Sequence, residues 1–85
     1  MSKQNNRIVM GQRLKAFRES RGLSAYRVAK KGGIKIGQVK AVEEGTTNYT
    51  IDIFQGYVIG CGLYMYFAEK ENESQQHDFE ELIKT

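Results

Sequence analysis

Glycine punctuation constrains this chain more than any other feature of its 85 residues. There are nine glycines and no proline. Gly22, the Gly32-Gly33 pair, Gly45 and the Gly60-Cys61-Gly62 run fall where an apolar repeat of three and four stops, the place a left-handed helix cap requires. From Ile8 onward Met10, Leu14 and Phe17 fall at i, i+4 and i+7, one stripe ringed by Arg13, Lys15 and Arg18. After Gly22, Leu23 enters the core and Ser24 is a good N-cap, although Arg27 stands where a capping box needs Glu or Gln. The pattern predicts a second helix over 25–31 with Val28 and Ala29 inward, a Gly32-Gly33 turn plugged by Ile34, and a third helix over 35–44 burying Val39 and Val42. Residues 46–49 read as a loop. Thr50 caps a fourth helix with Asp52 in its first turn, where the helix dipole favours an acid. Its stripe is Ile51, Phe54 and Val58, widened by Tyr57 and Cys61. Gly56 and Gly60 inside that helix each cost about 0.8–1 kcal/mol relative to Ala, so it is expected to be the weakest helix in isolation.

At Leu63 the period changes from helical to alternating. Leu63, Met65 and Phe67 alternate with Tyr64 and Tyr66, which predicts a strand. A lone strand in a helical monomer has no ladder partner, and an unpaired apolar edge is an association site. The simplest partner is the same strand of a second copy, antiparallel across a two-fold axis. Leu63, Tyr64, Met65, Tyr66 and Phe67 are therefore the expected dimer interface. The alternatives are a continuation of the preceding helix or an extended tail. Residues 69–76 are a polar linker, and Phe79, Leu82 and Ile83 recur at helical spacing, predicting a short amphipathic helix at the end. The expected organisation is a flexible basic arm over 1–7, a helical domain over 8–62, and a dimerisation strand with an acidic tail over 63–85. The fold class is all-α, a bundle of four to five helices with a C-terminal strand paired across a dimer.

Charge is divided along the chain. Residues 1–42 carry eleven Lys and Arg against Glu19 alone, a balance of +10, whereas residues 43–85 carry two against nine acids, a balance of −7. A half-molecule at +10 attracts a polyanion. The bland counterpart is a pair of solvated faces of opposite sign. No apolar run approaches the roughly 20 residues needed to span a bilayer, and no apolar region follows the polar opening residues, so neither a membrane segment nor a secretory leader is expected. The single cysteine, Cys61, cannot pair within the chain, which fits a reducing cytoplasm. With one His (His77) and one Cys, a zinc site would need ligands from another chain. No metal or cofactor is expected.

Two short helices joined by a tight glycine turn, 24–31 and 35–44, form a helix-turn-helix, whose second helix is slim enough for a major groove. The same pairing packs many small helical domains, so topology carries only part of the reading. Residue by residue, the sequence resembles the Xre/phage-repressor-like (Cro/C1-type) helix-turn-helix regulators, the lambda-repressor-like family. The resemblance rests on Gly11-Gln12-Arg13-Leu14-Lys15, Arg18, Gly22-Leu23-Ser24, Val28-Ala29, Gly33-Ile34, Val39, Val42-Glu43-Glu44-Gly45 and Thr50-Ile51. It runs from about residue 8 to 62, without insertion between Gly22 and Gly45.

The resemblance implies a double-stranded DNA-binding transcriptional regulator, a repressor, acting as a homodimer in the cytoplasm of a prokaryote or phage host. It implies base reading by Ile36, Gly37, Gln38, Lys40 and Ala41. It implies phosphate contacts from Arg13, from Ser24, Ala25 and Tyr26 at the start of the second helix, from Lys35, and from Thr46, Thr47, Asn48 and Tyr49. It also implies a structural ion pair between Arg18 and Glu43. The side chains themselves favour phosphate over base contacts. Ile36, Gly37 and Ala41 offer no hydrogen bond, while Gln38 suits adenine and Lys40 suits guanine. The family often has Gln at the position of Ala25 and a hydroxyl cap at that of Lys35. Some antitoxin members pair a strand at the position of residues 63–67, so the alternative function is an antitoxin-type interaction module. Its main partner would be a protein such as a toxin, held by the C-terminal tail. An enzyme is not expected: His77 has no nucleophile beside it, Cys61 reads as inert core, Gly32-Gly33 lacks the Gly-Lys-Ser/Thr of a phosphate loop, and the Glu43/Glu44 and Glu80/Glu81 pairs point apart on a helix.

Overall fold

Four α-helices account for most of residues 2–70, the part of the chain described by the computed structural model: α1 (Lys3–Ser20), α2 (Ala25–Gly32), α3 (Ile36–Glu44) and α4 (Ile51–Gly60). Three of the four starts have a side-chain cap. The side-chain oxygens of Ser2, Ser24 and Thr50 accept the backbone N–H groups of Asn5, Arg27 and Ile53 respectively, satisfying donors that a helix start leaves open. Between α2 and α3 the chain turns at Gly33, whose φ of +70° is a left-handed conformation that a residue with a Cβ adopts at a cost. The Ile34 N–H then reaches back to the Ala29 carbonyl at 3.0 Å, which closes α2 and aims Ile34 at the core.

The expected arm over residues 1–7 is not an arm. Residues 3–7 are the first turns of α1, started by the Ser2 cap. They are pinned to the loop after α3, because Gln4 Nε2 donates to the Thr46 carbonyl at 3.5 Å and Arg7 Nε to the Gly45 carbonyl at 3.3 Å. Among the described residues no strand forms, and residues 63–70 have no regular secondary structure. The alternative in which residues 63–67 prolong α4 is excluded. Gly62 takes φ +76°, its N–H bonds the Ile59 carbonyl and the Leu63 N–H bonds the Val58 carbonyl, so the helix ends there. The amphipathic helix expected around Phe79, Leu82 and Ile83, and the acidic tail, lie outside the described residues.

Val28, Val39, Val42 and Tyr57 are fully buried, with Ala29, Val58 and Cys61 nearly so. Leu14, Phe17, Leu23, Ile34, Ile53 and Phe54 pack around them. The stripe of α4 differs from expectation. Tyr57 is its centre, whereas Ile51 at the first turn is 61% exposed and Ile59 also faces outward. Met10 of α1 is likewise exposed. The reason α4 carries glycines lies in its neighbour. A Cβ on Gly60 would run into the Val28 carbonyl, one on Gly56 into the Ile34 side chain, and one on Gly32 into the Gly56 carbonyl. α2 and α4 thus pack backbone against backbone. Gly37 in α3 has the opposite surroundings, since a Cβ there would meet nothing within 4 Å.

These two environments predict opposite outcomes for one substitution. Gly60→Ala should lower the unfolding free energy by about 1–3 kcal/mol through overpacking, despite its gain in helix propensity. Gly37→Ala should raise it by about 1 kcal/mol. Urea titrations of both variants decide the matter, and stabilisation by both would show that close approach of α2 to α4 is not what Gly60 serves.

Candidate nucleic-acid interface

The pose of α3 is set by a buried charged cluster. Arg18 of α1 grips Glu43 of α3 with two bonds, Nε to Oε2 at 2.6 Å and Nη2 to Oε1 at 3.1 Å. The Arg18 and Glu43 side chains are only 11% and 6% exposed. The remaining guanidinium arm donates to the Leu23 carbonyl at 2.8 Å, and the Tyr57 hydroxyl of α4 donates to Glu43 Oε2 at 2.5 Å. One carboxylate therefore holds α1, α3 and α4 together, and the expected Arg18–Glu43 pair is present with a third member that sequence reading did not attach to it. Burial, and then the hydrogen bond to Glu43, push the Tyr57 phenol well above the usual tyrosine range. The Glu43 hydrogen bond raises the Arg18 pKa against the opposing effect of burial.

With Val39, Val42 and Glu43 turned inward, the opposite side of α3 is open. Ile36, Gly37, Lys40 and Glu44 are exposed and Ala41 half-buried. At about 3.6 residues per turn, Gly37 lies nearest the outermost line of the helix. Gln38 is used differently from expectation. Its Oε1 accepts the Lys35 N–H at 2.9 Å, the back-reaching half of a capping box, while Lys35 has no side-chain acceptor for the other half. The Gln38 carbonyl oxygen is therefore engaged by the backbone rather than open to an adenine edge.

Most of the residues assigned to phosphate contact lie on the surface. Arg13, Ser24, Tyr26, Lys35, Thr46, Thr47 and Asn48 are exposed and Ala25 half-buried. Ser24 Oγ is occupied by its cap bond, and the Thr46 carbonyl by Gln4. Tyr49 is turned inward. Its ring stacks on Phe54 with centroids 6.0 Å apart, and its hydroxyl is buried without a hydrogen-bond partner. Burial raises its pKa, and the expected phosphate contact through that hydroxyl is not available in this arrangement.

Two clefts flank α2. One, lined by Lys15, Arg18, Ala25, Lys40, Glu43 and Glu44, separates it from α3. The other, towards α4, gathers Arg21, Arg27, Lys30 and Lys31 beside Tyr26, with Lys30 Nζ 5.9 Å from the Tyr26 ring centroid. None of these four cations was given a named role from the sequence. Their convergence was signalled by the i, i+3 and i+4 spacing of Arg27, Lys30 and Lys31 on one helical face.

Of the expected dimer residues, Leu63 packs partly against the core, while Tyr64, Met65, Tyr66 and Phe67 are exposed, Phe67 by 88%. All of them but Tyr66 border a groove of about 450 Å³ that also takes in Ile51, Gln55, Val58 and Ile59 of α4. The apolar surface is thus wider than the strand segment alone. Among the described residues no group of three His, Cys, Asp or Glu gathers to hold a metal ion, and no helix is long and apolar enough to cross a membrane. Compared with known proteins, the chain matches no family model, no curated protein and no solved structure.

The charged cluster predicts a ranked loss of stability. Arg18→Met strands the Glu43 carboxylate and should cost about 3–5 kcal/mol, and Tyr57→Phe removes one bond to a charged acceptor and should cost about 1.5–3 kcal/mol. Tyr57 also gives a pH dependence. Its folded pKa is raised, so its contribution is complete below the ordinary tyrosine value of about 10 and is lost as pH rises past it. Denaturant midpoints should fall above that pH, and the fall should be shallower in Tyr57→Phe. Equal slopes in the two proteins would show that Tyr57 is not the titrating group.

Proposed function

We propose that this protein is a double-stranded DNA-binding regulator of the helix-turn-helix kind, α2 and α3 forming the unit and α3 entering the major groove. The observation that carries the reading is the open outer face of α3. No element of the described chain covers Ile36, Gly37 or Lys40, although α3 is locked in place from behind by Glu43. Arg13 and Lys15 of α1, Lys35 at the start of α3 and Lys40 within it are exposed cations, and no element of the described chain packs on the outer face of α3. The residue-by-residue resemblance to the Cro/C1-type regulators supports the same assignment. Phosphate contacts then come from Arg13, Lys35, the start of α2 and the loop at 46–48, and supply most of the affinity. In this reading the protein acts as a repressor by occupying its site.

The working form in this reading is a homodimer. Residues 63–67 of two copies pair antiparallel, and the exposed faces of Ile51 and Ile59 join the same interface. Two copies of α3 about one turn of DNA apart would call for a roughly palindromic site.

Duplex affinity should fall steeply with salt, by about 10³-fold or more between roughly 50 and 200 mM if six or more phosphates are neutralised. A flat response would favour instead an antitoxin-type module whose partner is a protein. Met65→Lys places a charge in the shared edge and should give monomers by sedimentation velocity, and an unchanged dimer would remove the strand-pairing reading.

A further inference from the structure

Resting on the DNA-binding reading above, we infer that α3 discriminates duplexes through the C5 methyl group of thymine and not through hydrogen bonds to base edges. Three observations converge on this. Gln38, the one amide side chain of α3, is turned back to the helix start, where its carbonyl oxygen accepts the Lys35 N–H, so in this arrangement it does not present the paired donor and acceptor that identify adenine. The outermost line of α3 begins, at the second residue of the helix, without a side chain. Gly37 has open space where a Cβ would stand, its φ is not in the left-handed region, and nothing in the fold requires glycine there. The exposed Ile36, at 41%, precedes it about 100° round the helix, and the half-buried Ala41 follows it one turn on; both are purely apolar.

These facts fit one another. The Ala41 methyl is short and reaches a base only if the helix backbone comes close to the groove floor. The missing Cβ at Gly37 permits that approach, and Ile36 and Ala41 then meet methyl groups, which thymine alone among the four standard bases presents in the major groove. Lys40, exposed, goes to phosphate in this reading, and Glu44 stands at the far end of α3, about 10 Å along the axis from Gly37.

The experiment compares duplex poly(dA-dT) with poly(dA-dU) of equal length, and poly(dG-dC) with its 5-methylcytosine counterpart, by fluorescence anisotropy at one low salt concentration. Each pair differs only in major-groove methyl groups. The methylated member should bind tighter by about fourfold for each methyl contacted. Ile36→Ala should lose most of that preference, and Gly37→Ala, checked for a native circular dichroism spectrum, should reduce it by holding the helix off the bases. Tight binding with no difference between thymine and uracil duplexes would overturn this inference and leave the DNA-binding reading intact. So would an undiminished preference in Ile36→Ala, which would trace it to duplex shape. Failure to bind any of the four duplexes would overturn both.

Discussion

A single buried carboxylate organises this molecule. Glu43 receives the Arg18 guanidinium and the Tyr57 hydroxyl on the same side chain, and the Arg18 arm left over holds the carbonyl at Leu23, where α1 hands the chain to α2. Taking such charges out of water costs several kcal/mol per ion, and only a fully bonded geometry offsets that. An alternative rotation of α3 about its axis would leave both charges without partners. The cluster is therefore less a source of net stability than a selector among packings, since Val39 and Val42 could be accommodated by several nearby rotations and Glu43 by one. That selection decides which line of α3 faces solvent, and hence that Gly37, Ile36 and Lys40 are the residues on offer to a ligand.

Backbone contact does for α2 and α4 what charge does for α3. Gly32, Gly56 and Gly60 allow the two helices to touch carbonyl against Cα, and Gly11 does the same where α1 meets the end of α3, at the Val42 and Glu43 carbonyls. A domain of this size has little apolar volume to bury. Close approach raises the number of van der Waals contacts each small side chain makes, which lets a core of valines, an alanine, a cysteine and one tyrosine hold four helices. The helix propensity lost at Gly56 and Gly60 is the counterweight.

How far the sequence reveals this depends on whether the deciding partner is local. The caps at Ser24 and Thr50, the turn at Gly33 and the ends at Gly22 and Gly45 are readable because cap and helix are adjacent in the chain. The start at Lys3 has an equally local cap in Ser2, but the groups that hold residues 4 and 7 to the rest of the fold, the carbonyls of Thr46 and Gly45, are some forty positions away. The glycines of α4 read as a liability for the same reason, since the carbonyl they accommodate belongs to α2. Ile51 and Tyr57 compete for the same stripe in sequence, and only the reach of a phenol to Glu43 resolves which goes inside. At the outer face of α3 the apolar character of Ile36, Gly37 and Ala41 was legible. The diversion of Gln38 has a local partner, the N–H three residues back, but a Gln on an outward position reads equally as a base contact.

α4 ties the two open surfaces to one another. Its inner side carries Tyr57 to the carboxylate that fixes α3, and its outer side carries Ile51 and Ile59 into the groove shared with Leu63, Met65 and Phe67. Covering that groove with a second copy would rigidify the helix whose hydroxyl helps orient α3. A helix with two internal glycines has low intrinsic stability, so its order comes from what packs on it. The inner face is already complete in the single chain, with Tyr57 and Val58 buried. Any further ordering on association must therefore come through the outer face, and it would pass to α3 along one hydrogen bond. In the proposed regulator, pairing of subunits and presentation of the DNA-facing helix are then coupled through ten residues of α4, without a separate device to link them.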